Sequence, residues 1–232
     1  MRPRIPVLLA AALALALPAF TPAATPPAAD AHVSAKLTAT KAALRDLWLG
    51  HIFWVRNVVE ARFAGNTSEA QAAEQQVVAN AQQIAAAIEP YYGKAAADQL
   101  FKLLAGHWGA ISSYLDATRA GSKTQQDAAF KQLVDNADQI ATFLSRANPH
   151  LPADTLRGLL TAHGAHHLQQ IQEFQAKQYD QEAKTWAAMT AHMYVIADAL
   201  ADGIAAQFPD KFRYAVLGTR TAPLLRADVH AG

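Results

Sequence analysis

The feature of this sequence that most limits its fold is an internal repeat with a period of 56 residues. An octapeptide that ends in histidine occupies residues 44–51, and similar octapeptides occupy 100–107 and 156–163. The offset is 56 residues each time, so the copies align without insertions or deletions. Self-similarity at one constant offset is the sequence signature of a duplicated structural unit. The chain is therefore expected to contain three copies of one motif, each with a histidine at the same place.

Each copy has the pattern of a helical hairpin. Apolar residues recur at intervals of three and four around each repeated histidine and again in the second half of each copy, which is typical of amphipathic helices. Gly65 and Gly121 separate the two halves, and Pro90, Pro149 and Pro209 follow the second halves. The predicted helices cover residues 38–64, 67–89, 95–119, 124–145, 153–177 and 181–208.

The three hairpins are predicted to form an all-α, six-helix bundle. Apolar residues correspond at one offset across all copies, for example Val59 with Leu115 and Ile171. Each hairpin has one apolar face, which only its neighbours can bury. A compact bundle is favoured over a short solenoid, since the sequence shows no polar capping repeat.

Composition supports helices and excludes several kinds of function. Hydrophobic residues make up 52% of the chain, with alanine and leucine the most frequent, and only 17% of residues are charged. The formal net charge is +1, and no basic stretch indicates a nucleic-acid partner. The chain contains no cysteine, so thiolate metal sites and disulfides are excluded.

The N-terminus has the pattern of a secretory signal peptide. Arg2 and Arg4 precede an apolar run from Val7 to Leu17, and cleavage is expected after Ala31. The protein is therefore predicted to be exported, to the periplasm or the cell exterior, without membrane insertion after cleavage; a protein partner is not indicated. The predicted segments are a signal peptide, a disordered leader, the bundle domain and a flexible tail, at 1–31, 32–37, 38–212 and 213–232.

Several short motifs resemble those of a family of uncharacterised bacterial six-helix proteins. The motifs are Leu-Trp-x-x-His-x-x-Trp-x-Arg from Leu47 to Arg56, Pro-Tyr-Tyr-Gly at 90–93, Asn-Ala-Asp-x-Ile at 136–140 and Ala-Asn-Pro at 147–149. The resemblance covers residues 44–212. It implies the six-helix architecture and brings no activity with it.

The repeated histidines form the sharpest candidate site. His51, His107 and His163 lie within the apolar stripes of their helices, where an unpaired imidazole nitrogen costs about 1–3 kcal/mol. If equivalent helices face one another, three imidazoles can share a transition metal such as zinc, copper or iron. Alternatively, each histidine is a structural core residue with its own hydrogen bonds, and no cofactor binds.

The third repeat differs from the others and suggests further ligands. His167 follows His163 by one helical turn, and His192 replaces the asparagine of the other two repeats. Together with Asp198 these residues offer an alternative site on two helices. A di-iron carboxylate centre is not expected, because the sequence has no Glu-x-x-His motif.

Other polar residues are candidates for supporting roles. Asn80, Asn136, Asp138 and Asp198 are predicted to orient the histidines through hydrogen bonds. Arg56 follows Trp48 and Trp54 closely, so it is expected to stack on one of these two tryptophans, to pair with a carboxylate, or to bind an anionic ligand beside Trp48.

The sequence favours a binding protein over an enzyme. It has no glycine-rich phosphate loop, no nucleophile elbow and no Ser-His-Asp order. The leading hypothesis is an exported helical bundle that binds a transition metal. The alternative is an interaction module or small-ligand-binding module with structural histidines.

Overall fold

The computed structural model describes residues 28–213, with side chains from residue 35 onward, and this part of the chain is helical with no strand. The helices are α1 (Ala28–Ala64), α2 (Thr67–Tyr92), α3 (Lys94–Arg119), α4 (Lys123–Ala147), α5 (Ala153–Gln175) and α6 (Tyr179–Gln207), followed by a 3₁₀ helix at Pro209–Phe212. The predicted tail from 214 and most of the predicted signal peptide, 1–27, lie outside the described residues.

The six helices form a closed bundle of three hairpins. Each helix packs against the next one in the chain, and α6 returns against α1. α5 also contacts α1 and α3 across the interior. The predicted all-α fold of three tandem hairpins is confirmed. Because α1 and α6 meet, the hairpins close on themselves as a compact bundle does, whereas the ends of a solenoid stay apart.

The turn inside each hairpin has the same geometry in all three repeats. Gly65, Gly121 and Lys177 occupy corresponding positions and have φ angles of 75°, 68° and 56°. In each turn the N–H of the following residue donates to the carbonyl five residues back, at 2.9 Å. The third repeat therefore places a lysine where the left-handed backbone favours glycine.

Two helix boundaries differ from the prediction. α1 begins at Ala28, so the segment 32–37, predicted to be a disordered leader, is helical; it contains neither proline nor glycine. α2 continues through Pro90 to Tyr92. Proline fixes a φ angle that suits a helix and removes only one hydrogen bond, and the rings of Tyr91 and Tyr92 pack on Phe208.

The core is built in layers of corresponding residues from α1, α3 and α5. One layer contains Leu44, Leu100 and Leu156, and another contains Val59, Leu115 and Ile171; all of these side chains are buried. The three repeated histidines lie between these two layers along the helices. The repeat therefore places the imidazoles inside an apolar core rather than at its edge.

Within residues 28–213, no helix combines the length and the hydrophobicity needed to span a membrane.

Candidate metal centre

Four histidines meet in the middle of the bundle. His51 lies on α1, His107 on α3, and His163 and His167 on α5. All four residues are buried: 5% of the surface of His51, 3% of His107, and 1% each of His163 and His167 is exposed. The closed bundle brings α1, α3 and α5 together at the level of these histidines, so the three copies of one repeat position converge. His167, one turn beyond His163, takes the position that Val55 and Ile111 hold in the other repeats.

The four imidazoles are close enough to share one cation. Each offers one ring nitrogen, and these nitrogens all lie within 4.8 Å of one another. The ring centroids of His163 and His167 are 4.5 Å apart, and the other pairs are separated by 5.5–6.4 Å. Tetrahedral coordination with bonds of about 2.0–2.1 Å puts ligand nitrogens about 3.3 Å apart, so the rings must move inward by about 1 Å to hold a metal.

The cluster is uncharged at neutral pH. Burial, together with the neighbouring His107, lowers the pKa of His51 to about 3. Burial also lowers the pKa of His107 to about 4. The pKa values of His163 and His167 lie well below the ordinary value, because both are buried and because the other imidazoles repel a positive charge. Neutral imidazole is the form that binds metals.

Half of the eight imidazole nitrogens in the cluster are buried and have no hydrogen-bond partner. Both ring nitrogens of His163, Nε2 of His107 and Nε2 of His167 are buried and unpartnered. An unsatisfied buried polar atom costs about 1–3 kcal/mol, and native cores contain few of them. Several such atoms at one point are the pattern expected of ligands whose common partner is a cation. The residues present therefore fit a metal ion.

Asn136 fixes the tautomer of His107. The amide Nδ2 of Asn136 donates to the carbonyl of Leu103 at 3.0 Å, so its Oδ1 is free to accept. Oδ1 lies 3.2 Å from Nδ1 of His107, and that nitrogen must carry the proton. The lone pair of His107 is consequently on Nε2, the unpartnered nitrogen. This is the orienting role that the sequence suggested for Asn136.

Asn80 and His192 make the same backbone contact in their own repeats. Asn80 Nδ2 donates to Leu47 O at 3.0 Å, and His192 Nε2 lies 2.8 Å from Leu159 O. The structure thus places His192 outside the four-histidine cluster, as a tie between α6 and α5. Asn80 forms no hydrogen bond to a histidine, and its Oδ1 is buried without a partner.

The two aspartates proposed as supporting residues lie elsewhere. Asp138 pairs with Arg157 at 2.7 Å, and Asp198 pairs with Arg45 at 2.6 Å. Both carboxylates are partly exposed. The pairing with Arg45 lowers the pKa of Asp198. They tie neighbouring helices together and do not join the histidine cluster.

Arg56 and Trp48, predicted to bind a ligand together, lie in two separate environments. Arg56 forms a bidentate pair with the buried carboxylate of Glu182, at 2.6 and 2.8 Å, and its guanidinium lies over the rings of Phe174 and Trp186. Of the expected roles for Arg56, the structure shows the carboxylate pair. Trp48 is buried, with its ring 6.0 Å from that of His51 in an edge-to-face arrangement. Its indole nitrogen has no partner.

The sequence analysis missed a buried polar network between α5 and α6. Gln170 on α5 donates to Glu182 at 2.7 Å, and Thr185 donates to Glu173 at 3.0 Å. Glu173 corresponds to an alanine in the other repeats, at Ala61 and Ala117. This polar residue, at a position that is apolar in the other two repeats, was the sequence signal that could have revealed the network.

The fold and the site together define a closed six-helix bundle with a buried four-histidine cluster. Comparisons of this chain with protein-family models, with curated proteins and with solved structures find no match. The resemblance suggested by the sequence motifs stays a prediction. The evidence for a function therefore comes from the geometry of the histidine cluster.

Proposed function

We propose that the protein binds one transition-metal ion through His51, His107 and His163, with His167 as the fourth ligand. The observation that carries this proposal is the convergence of four buried imidazoles within 4.8 Å. A metal would take one ring nitrogen each from His107, His163 and His167, where the protein leaves buried nitrogens unpartnered.

The competing interpretation is that the histidines are structural. Structural histidines form hydrogen bonds with the protein, as the partly buried His192 does with Leu159 O. Within the cluster, His107 has such a bond to Asn136, while neither nitrogen of His163 has one. Duplication explains why a histidine recurs at 51, 107 and 163, but it does not explain His167, which the other repeats lack.

The ligand set favours zinc, copper or iron. Imidazole nitrogen suits these metals, whereas magnesium and calcium prefer oxygen ligands. The cluster found among the described residues contains histidine alone, so all of its ligands are nitrogen atoms. We propose metal binding as the function, in an exported protein as the N-terminal sequence predicts.

The test is metal analysis of protein purified without a histidine tag. We expect one equivalent of metal per chain after loading and desalting, and its loss in the His51→Ala/His107→Ala/His163→Ala variant. The His192→Asn variant is the matched control, because His192 lies outside the cluster and asparagine fills its place in the other repeats. Equal metal content in the triple variant and the wild type would contradict the proposal.

A second candidate function is the binding of a small apolar molecule. An apolar cavity of about 40 Å³ lies inside the bundle, at the level of Leu44 and Trp48 on α1. Its lining includes corresponding residues from the three repeats, namely Leu44, Leu100, Leu156, Ile84, Ile140 and Ile196. This volume is well below the roughly 150 Å³ that accommodates benzene, so only a very small molecule fits. Xenon in pressurised crystals is the probe, and an empty cavity under pressure would rule this function out.

A further inference from the structure

An apolar cleft joins the protein surface to the histidine cluster. It lies between α2 and α3, encloses about 60 Å³, and ends at His51. At its mouth are Val78, with 42% of its surface exposed, and the exposed Ala105. Its inner walls are the buried side chains of Val77, Ala81 and Leu104. Of the four clustered histidines, His51 is the one that lines this cleft.

The corresponding groove between α4 and α5 is filled. There Leu133 replaces Val77, and Gly164 replaces Trp108. The side chain of Leu133 packs against Gly164 so closely that a Cβ on that glycine would lie 3.0 Å from Leu133 Cδ2. The open cleft is thus a property of the first two hairpins and does not follow from the repeat alone.

The dimensions and the lining of the cleft select the kind of molecule that can pass. Its walls are aliphatic and aromatic, so a hydrated ion or a charged substrate would lose its hydration without compensation. A volume of 60 Å³ is several times the roughly 10–15 Å³ needed for one water and less than half of what benzene occupies. A neutral molecule of two or three heavy atoms meets both conditions.

We infer that small uncharged molecules reach the bound metal through this cleft and coordinate to it beside His51. This inference rests on the proposed metal site. A tetrahedral centre can expand to five ligands, so the four histidines stay bound while the molecule adds. One dative bond to the metal forms, no bond breaks, and no other reactant is consumed.

The test uses Fe(II)-loaded protein and nitric oxide under anaerobic conditions. Iron content is measured first, and formation of the nitrosyl adduct is then followed by electron paramagnetic resonance and stopped-flow absorbance. In Ala105→Trp a large side chain covers the mouth, and we expect the association rate to fall about tenfold while iron content is unchanged, because access limits the step. The matched control is Thr161→Trp, the corresponding exposed position on α5, which faces no open cleft and should change the rate less than about twofold.

The outcomes separate the two proposals. Iron bound at one equivalent with no nitrosyl adduct would overturn the inference about the cleft and leave metal binding intact. Equal slowing in both tryptophan variants would also overturn it, because the effect would then be unrelated to the cleft. Wild-type protein that takes up no iron would remove the metal on which the inference rests, and that result is read from the metal content before any nitric oxide is added.

Discussion

At the scale of single residues, the cluster combines an apolar environment with nitrogens that the protein does not satisfy. His163 is the extreme case, because it is 1% exposed and neither ring nitrogen has a partner. Without a metal, such a residue reduces stability; with a metal, it becomes a ligand. The two roles can be separated by replacing the ring with an apolar side chain.

His163→Leu is expected to stabilise the metal-free protein and to abolish tight metal binding. Leucine removes two unsatisfied polar atoms from the core, each worth about 1–3 kcal/mol, against a modest packing penalty. Chemical denaturation of the metal-free protein measures the free energy of unfolding. A structural histidine predicts the opposite sign, so clear destabilisation of the metal-free form by this substitution would count against a ligand role.

Asn136→Ala is expected to weaken metal binding by about 10–100-fold, because the proton on His107 Nδ1 loses its acceptor. It should also destabilise the protein by about 1–3 kcal/mol, since the bond to Leu103 O is lost. Asn80→Ala is the matched control, as Asn80 makes the same backbone bond to Leu47 but none to a histidine. Competition titration with a chelating dye measures both affinities. Equal losses of affinity would show that Asn136 acts only through the backbone.

Residue patterns alone could not assign every histidine. The spacing of His51, His107 and His163 predicted their burial, and His167 followed as the next residue on the same helix face. His192 was predicted as a ligand because it stands in the register of Asn80 and Asn136. In the structure each of these three side chains contacts the carbonyl at the corresponding position of its own repeat. The change from asparagine to histidine hides this shared structural role in the sequence.

At the scale of elements, the hairpin turns show how one geometry is encoded with different residues. Gly65 and Gly121 were predicted as helix breaks, and their positive φ angles explain the choice of glycine. In the third repeat the sequence predicts a helix break after residue 177, but not the left-handed backbone at Lys177, because lysine does not signal it as glycine does. The same hydrogen bonds nevertheless form there, from Gln178 N to Glu173 O and from Lys177 N to Phe174 O.

Lys177→Gly is expected to stabilise the protein by about 1 kcal/mol, because glycine adopts the left-handed backbone without the steric cost of a Cβ atom. Gly121→Ala at the corresponding turn should destabilise by a similar amount. Melting temperatures of the two variants, measured at the same pH, give the comparison. Shifts of the same sign would indicate that the φ angle at these turns does not limit stability.

Helix boundaries were predicted less well than helix existence. The periodicity of apolar residues predicted all six helices, because each must bury one face. It gave no information on Ala28 to Lys36, where the sequence has helix propensity but no apolar periodicity. Pro90 predicts the end of α2. In the structure α2 continues to Tyr92, and the rings of Tyr91 and Tyr92 pack on Phe208.

At the scale of the whole molecule, the site exists because the bundle closes. The repeat predicted that each hairpin carries one histidine inward. Whether these histidines meet depends on long-range packing, in which α6 returns to α1 and α5 contacts both α1 and α3. The Arg56–Glu182 pair, which joins α1 to α6, depends on the same closure, and no local pattern encodes it.

Stability of the metal-free protein should fall steeply as the pH falls from about 6.5 toward 4. The pKa values of His51 and His107 in the folded state are about 3 and about 4, below the ordinary 6.5. Between these limits the unfolded chain binds more protons, so each such histidine removes up to about 1.4 kcal/mol per pH unit. The contribution is complete above pH 6.5 and is lost as the pH falls.

Thermal unfolding between pH 4 and pH 8 measures this dependence. The His163→Leu variant lacks one of the four histidines and should show a shallower slope over the same range. A melting temperature that is constant from pH 7 to pH 5 would contradict the burial of four neutral imidazoles.

The most direct measurement is X-ray absorption spectroscopy at the metal edge, on untagged protein loaded with one equivalent of metal. A four-histidine site is expected to give nearest neighbours of nitrogen at about 2.0–2.1 Å, with the outer-shell scattering of several imidazole rings and no sulfur. A shell of oxygen atoms without imidazole scattering, or the same spectrum from the His51→Ala/His107→Ala/His163→Ala variant, would contradict it.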